Sequence, residues 1–206
     1  MQKFQDYLVE DKNTHLEHLE DEIINNGTKG AKTAIEFLKS IKKMLQGKKG
    51  STVSVKWDGA PAVFCGINPE NGKFFVATKS LFNKTPKINY TNSDISRNHG
   101  GALADKLKEC LKHLPSLGIK GIIQGDLLFT SGDKKTATID GAKSIVFTPN
   151  TITYAVPVVS SGFLGFGANI YKEINNAKIG IIFHTSYSGS TIASLRASFG
   201  ASVSSL

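Results

Sequence analysis

Apolar positions recur along this chain with two different periods, and the change between them falls near residue 50. Ala34, Ile35, Leu38, Ile41 and Leu45 share one face at helical spacing, which predicts an amphipathic helix over about 29–45, stopped by Gly47. Upstream, Thr14-His15-Leu16-Glu17 has the form of a capping box, in which hydroxyl and carboxylate satisfy each other's backbone donors. It predicts a shorter helix running to about Asn25, with Gly27 as the break between the two. His15 and His18 have a spacing that suits a shared metal, but no third ligand accompanies them, so they are assigned to an exposed helix face.

Beyond Lys48-Lys49-Gly50 the period becomes two. Segments 51–57, 61–67 and 73–79 are predicted strands, the last two joined by the turn Asn68-Pro69-Glu70-Asn71-Gly72. After a loop rich in Asn, Thr and Ser, Leu103, Leu107, Leu111 and Leu114 mark the buried stripe of a helix that Pro115 stops. Strands follow at 120–129, 144–148 and 151–158, the last pair turning at Pro149-Asn150. Gly162, Gly165 and Gly167 lie in an apolar loop ahead of a helix at 168–175 and a strand at 178–185, and the tail is rich in Ser and Ala. Strands and helices arrive in blocks instead of alternating, which predicts an α+β fold with mainly antiparallel sheets. We expect a helical segment at 1–50, packed on a domain spanning 51–206.

Composition narrows the partners. A chain of 206 residues that is 40% hydrophobic and 20% charged has the makeup of a soluble globular protein. It holds no apolar run near the ~20 residues that span a bilayer. The N-terminus lacks a secretory apolar segment, and Cys65 and Cys110 make no disulfide framework, so a reducing cytoplasm is the expected compartment. The formal net charge of +8 favours polyanions such as nucleic acid or nucleotide phosphates, although a solvated lysine face also serves solubility.

Among chemical signatures, the phosphate-binding Gly-x-x-x-x-Gly-Lys-Ser/Thr loop, the Gly-x-Ser-x-Gly elbow, His-Glu-x-x-His and Cys-x-x-Cys are all missing. Gly162 to Gly167 lacks the spacing of a dinucleotide cradle. What stands out is Lys56-Trp57-Asp58-Gly59, a lysine at the end of a β-branched run just before a sharp turn. A lysine with its ordinary pKa of ~10.4 is protonated near neutrality, so a nucleophilic one needs desolvation or nearby positive charge. Lys79 and a bound Mg²⁺ would supply that charge, and Asp126, preceded by Gly125 on an apolar strand, suits a hard cation that keeps several waters. Asp58 and Gly59 fit the turn itself. Each has a plainer reading as well: an edge-strand charge for Lys56, a solvated lysine for Lys79, a turn for Asp126 and a core aromatic for Tyr154. His184, after Ile181-Ile182-Phe183, is taken as a half-buried histidine with no assigned role.

Lys56-x-Asp58-Gly59 resembles the nucleophile motif of the covalent nucleotidyltransferases: ATP-dependent DNA ligases, RNA ligases and mRNA-capping enzymes. Similar elements follow in that family's order. Phe75-Val76-Ala77-Thr78-Lys79-Ser80 puts Lys79 where an arginine is usual, and Gly121-Ile122-Ile123-Gln124-Gly125-Asp126 puts Asp126 where a glutamate is usual. Tyr154, in Ile152-Thr153-Tyr154-Ala155-Val156, matches an aromatic that stacks on the base. Ile179-Gly180-Ile181-Ile182-Phe183-His184 is similar to a later strand but has His184 in place of a lysine, and no final Lys-x-Lys is found. The resemblance covers about residues 51–185 and is nearest to RNA ligases and phage-type DNA ligases. It implies the ligase-type, ATP-grasp-like fold with its C-terminal part cut short and a lysyl-AMP intermediate at Lys56, formed from ATP with Mg²⁺ at Asp126. Asp58, Gly59, Lys79, Asp126 and Tyr154 would bind the nucleotide, and nicked duplex or RNA ends would be the partner. The alternative is a catalytically inactive member of that fold, serving as a basic nucleic-acid-binding or scaffold module.

Overall fold

The computed structural model describes residues 19–48, 58–158 and 166–199, without the side chains of 166–169 and 199. The predicted capping box at Thr14, both early histidines and the strand over 51–57, with Lys56, lie outside the described residues. The chain forms two compact units, residues 1–56 and 57–206.

In the first unit, α1 spans Leu19–Leu45, and Gly27 interrupts it with φ 54° and ψ −131°. Positive φ costs glycine little, so the predicted break falls there while helix continues on both sides. Ala34 is buried, whereas Ile35, Leu38 and Leu45 of the predicted stripe are exposed.

The second unit is α+β, with two antiparallel sheets. β1 (Ala62–Ile67), β2 (Phe74–Ala77), β3 (Ile122–Thr130), β7 (Ile179–Ser188) and β8 (Arg196–Phe199) form one sheet in the order β2-β1-β3-β7-β8. β4 (Lys135–Ile139), β5 (Ala142–Phe147) and β6 (Tyr154–Pro157) form the other. Helix α2 (Asn92–Asn98), helix α3 (Gly101–His113) and helix α4 (Phe166–Asn176) complete it.

Both faces of the larger sheet are covered, which explains why β1 is buried at every position from Val63 to Gly66. On one face Val63, Cys65, Val76, Ile123 and Leu127 pack with Ala104, Leu107, Cys110 and Leu114 of the α3 region. Burial pushes both thiols up, that of Cys110 to about 12, so each behaves as a small apolar side chain. On the other face Phe64, Phe75, Ile122 and Tyr187 meet Leu81, Ile192 and Leu195 from the connecting loops. A third cluster joins Leu128 and Phe129 of β3 to Ile145 and Phe147 of β5, with Tyr171 and Ile174 of α4 against it.

Three elements depart from the expected pattern. α2 forms inside the predicted loop because Thr91 and Asp94 make a reciprocal capping box. β4 is an edge strand of mostly exposed residues and so shows no apolar alternation. β8 is a short strand within the Ser/Ala-rich tail and pairs Ser198 with Ser186. β2 also ends early, at Ala77, because Thr78 caps a turn of 3₁₀-helix over Lys79–Phe82 and takes the chain out of the ladder. Among the described residues no helix is long and apolar enough to cross a membrane.

Candidate functional site

The turn that follows Lys56 is built against β3. Ala60 N–H donates to the Leu127 carbonyl at 3.0 Å, and Leu127 N–H returns a bond to the Pro61 carbonyl at 3.0 Å. Ala62 then pairs with Asp126 in the ladder, and the intervening Ala60–Pro61 peptide is cis. Gly59 lies so close to β3 that a Cβ there would stand 2.7 Å from the Leu127 carbonyl oxygen and 3.0 Å from Asp126 Cβ. Glycine at 59 is thus demanded by close approach, and its neighbour across the gap is the carboxylate-bearing residue of the candidate site.

The same turn is tied to the smaller sheet. The Tyr154 hydroxyl donates to the Asp58 carbonyl at 2.9 Å and accepts from the Asp58 amide at 3.1 Å. Asn150 Nδ2 donates to Asp58 Oδ2 at 2.5 Å, and its own Oδ1 accepts from Ile152 N–H, which sets the amide's direction. The Tyr154 ring stacks on Phe147 at 5.6 Å and 27°. One face of the ring is therefore taken by a neighbour within the protein, and the hydroxyl holds the Asp58 turn.

Asp126 itself is almost enclosed, its side chain 7% exposed. Its Oδ1 stands 3.6 Å from His184 Nε2, and that ring is 14% exposed. The other ring nitrogen, Nδ1, shares a 2.7 Å hydrogen bond with Thr185 Oγ1. Gln124, two residues before Asp126 on the same face of β3, accepts from the Tyr187 hydroxyl at 2.7 Å, and burial pushes that phenol up. A polar group of Gln124, Asp126, His184 and Thr185 thus occupies the end of a sheet face that is otherwise apolar. Burial of such groups is costly unless they bond one another or a ligand.

His184 reaches Asp126 through an irregularity in the ladder. Gln124 pairs with Thr185 but Gly125 pairs with Phe183, leaving His184 as the extra residue of a β-bulge. Gly125 permits it, since a Cβ at that position would lie 2.6 Å from the Ile182 carbonyl oxygen.

Of the residues expected from the sequence, the structure brings Asp58, Gly59, Asp126 and Tyr154 together. Lys79 is exposed and opens the 3₁₀ turn beyond β2 instead of standing on the strand. Antiparallel register carries the chain out of β2 at the end of the sheet where Ala62 meets Asp126. Lys56 lies outside the described residues, two positions before Asp58. Two participants were not anticipated. Asn150 was visible only as a turn residue, and His184 only as a histidine after an apolar run, at the place of a family lysine and with no role assigned, because a bulge leaves no mark in hydrophobic period. Among the described residues no group of three or more His, Cys, Asp or Glu is arranged around a metal position.

No curated protein matches this chain, and no solved structure matches it. A family model matches residues 13–206, nearly the whole sequence, and the chain belongs to that family, described as a family of unknown function (DUF6267).

Proposed function

We propose that this protein is the nucleotidyltransferase domain of a polynucleotide ligase-like enzyme, in which Lys56 carries AMP. The observation that supports it is the seating of the Asp58-Gly59 turn directly on Asp126, two parts of the chain that are far apart in sequence. The neutral amine of Lys56, having lost its proton to solvent, would attack the α-phosphorus of ATP. A P–N bond forms, the bond to the bridging oxygen breaks, and pyrophosphate leaves with the electron pair. Desolvation and the positive charge of Lys79 would favour the neutral amine. Tyr154 and Asn150 would hold the turn so that the lysine is presented in one direction.

The donor set suits a divalent cation: Asp126 provides a nearly enclosed carboxylate oxygen beside an imidazole nitrogen. When bound, such a cation supplies charge stabilisation to the α-phosphate. Asp126 would hold it, in keeping with the expected Mg²⁺. The polynucleotide partner, nicked duplex or RNA ends, and a cytoplasmic setting belong to the same reading, and the net charge of +8 favours them.

Intact-mass spectrometry tests the activity. After incubation with ATP and a divalent cation, the wild-type chain gains one AMP and Lys56→Ala does not. Absence of an adduct with both ATP and GTP overturns the reading. A second reading, a non-catalytic module that binds nucleic acid, is favoured by His184 standing where the resembled family has a lysine. Salt-sensitive binding to nicked duplex without any covalent nucleotide would support it.

A further inference from the structure

We propose that the loop over residues 79–87 is a docking surface for the phosphodiester backbone of a polynucleotide, held by Lys79, Lys84 and Lys87. It deepens the reading above, resting on its polynucleotide partner but not on the transfer of AMP.

No acidic residue occurs between Glu70 and Asp94, while lysine stands at 79, 84 and 87, and all three are exposed. The acids at the two ends of that span are occupied elsewhere. Glu70 Oε2 accepts from the Ile192 amide at 3.0 Å. Asp94 Oδ2 accepts from the Tyr90 and Thr91 amides, and its Oδ1 accepts from Arg97 at 2.6 Å. The loop therefore carries positive charge with no counter-charge of its own, a local field that attracts phosphates.

The backbone beneath these lysines is pinned. Val76 and Asn89 exchange both amide–carbonyl bonds, at 3.0 and 3.1 Å, so the two ends of the excursion meet. Lys87 N–H donates to the Ser80 carbonyl at 3.1 Å and closes a smaller ring inside it. Leu81 is wholly buried, and the Phe82 ring stands edge-on to Phe64 at 5.2 Å. The large apolar side chains serve as anchors, and the lysines are left in solvent. Cations on a fixed backbone lose less freedom on binding than those of a disordered segment. None of the loop's large apolar side chains is exposed to enter a bilayer, which favours a polynucleotide over an anionic membrane surface.

Position agrees with charge. Ala77, the last residue of β2, pairs with Phe64, and two residues earlier on β1 Ala62 pairs with Asp126. The loop thus leaves β2 at the end where Ala62 meets Asp126, so a polynucleotide lying on it would pass beside the candidate site.

Fluorescence anisotropy of the full chain with a nicked DNA duplex, and separately with single-stranded RNA, over a series of salt concentrations tests this. Lys84→Gln combined with Lys87→Gln should weaken binding at least about tenfold at ~0.1 M salt and lower the slope of log K against log salt by about 2. Lys84→Gln alone should lower it by about 1. Lys73→Gln combined with Lys120→Gln removes the same charge just before β2 and β3, at the opposite end of the larger sheet, and should leave the slope unchanged. Equal losses from the two pairs overturn the proposal, as does an unchanged slope in the Lys84 variants or no salt-dependent binding by the wild type. Loss of binding to phosphatidylserine vesicles with polynucleotide binding intact overturns it too. A chain that binds through these lysines and never takes up AMP would sustain this surface and defeat the nucleotidyl-transfer reading. A chain that takes up AMP but binds without them would do the reverse.

Discussion

Tyr154 grips Asp58 by its backbone, donating to the carbonyl at 2.9 Å and accepting from the amide at 3.1 Å. A single phenol on the smaller sheet therefore fixes the turn that follows Lys56. Tyr154→Phe keeps the stacking on Phe147 but removes both bonds. Each contributes about 0.5–1.5 kcal/mol, and the exposure of Asp58 puts the effect at the lower end. Melting should fall by about 2–4 °C. Formation of the AMP adduct should slow at least about tenfold, measured as a mass-spectrometric time course, because the turn loses its anchor while the fold persists.

Gly59→Ala should be more damaging to the fold than its size suggests. The added methyl meets a backbone carbonyl at 2.7 Å, which cannot yield as a side-chain end can. Overpacking of this kind costs about 1–3 kcal/mol, readable as a shift in the denaturant midpoint at unchanged slope.

Lys134 binds the end of α4. Its Nζ donates to the carbonyls of Ile174, Asn175 and Ala177 at 2.7–2.8 Å, satisfying acceptors that a helix C-terminus leaves open. Lys134→Met removes the donors together with the ammonium that stands 5.3 Å from the centre of the Phe129 ring. The expected loss is about 2 kcal/mol, with amide exchange accelerating in α4 well before the larger sheet is affected.

Acid should weaken the contact between α2 and the loop before it. Burial, and then the Lys87 charge, hold His99 below the ordinary histidine value, and Asn89 Nδ2 donates to its Nε2, which favours the neutral ring. The unfolded chain thus takes up the proton more readily. The stabilisation is complete above the unfolded value of ~6.5 and is lost as pH falls through the lowered folded value. His99→Gln should flatten the dependence of stability on pH below the ordinary histidine value of ~6.5, followed by denaturant titration at each pH.

Most of the architecture could be read from periodicity, because the elements that carry the core repeat their burial. Leu107 and Leu114 are fully buried, as their helical spacing requires, and β1, β3, β5, β6 and β7 overlap the predicted strands. What escaped was held by local hydrogen bonds: α2 by a capping box around one buried residue, Ile95, and β4 by pairing of exposed Lys and Thr. The site divided in the same way. Asp126 and the Asp58-Gly59 turn announce themselves by residue type, whereas Asn150 and His184 are enlisted by tertiary geometry alone. Lys79 shows the converse, a residue legible by motif whose strand ends two positions before it.

The bulge opposite Gly125 makes the β7 sequence unusually intolerant of length changes. Regular pleating sends neighbouring side chains to opposite faces, yet His184 and Thr185 stand together because the strand carries one surplus residue there. Deleting a single position between 182 and 185 would restore regular pairing opposite Gly125, while separating the ring from its hydroxyl. A designer grafting this arrangement onto an idealised scaffold would have to transplant the irregularity first and the amino acids second.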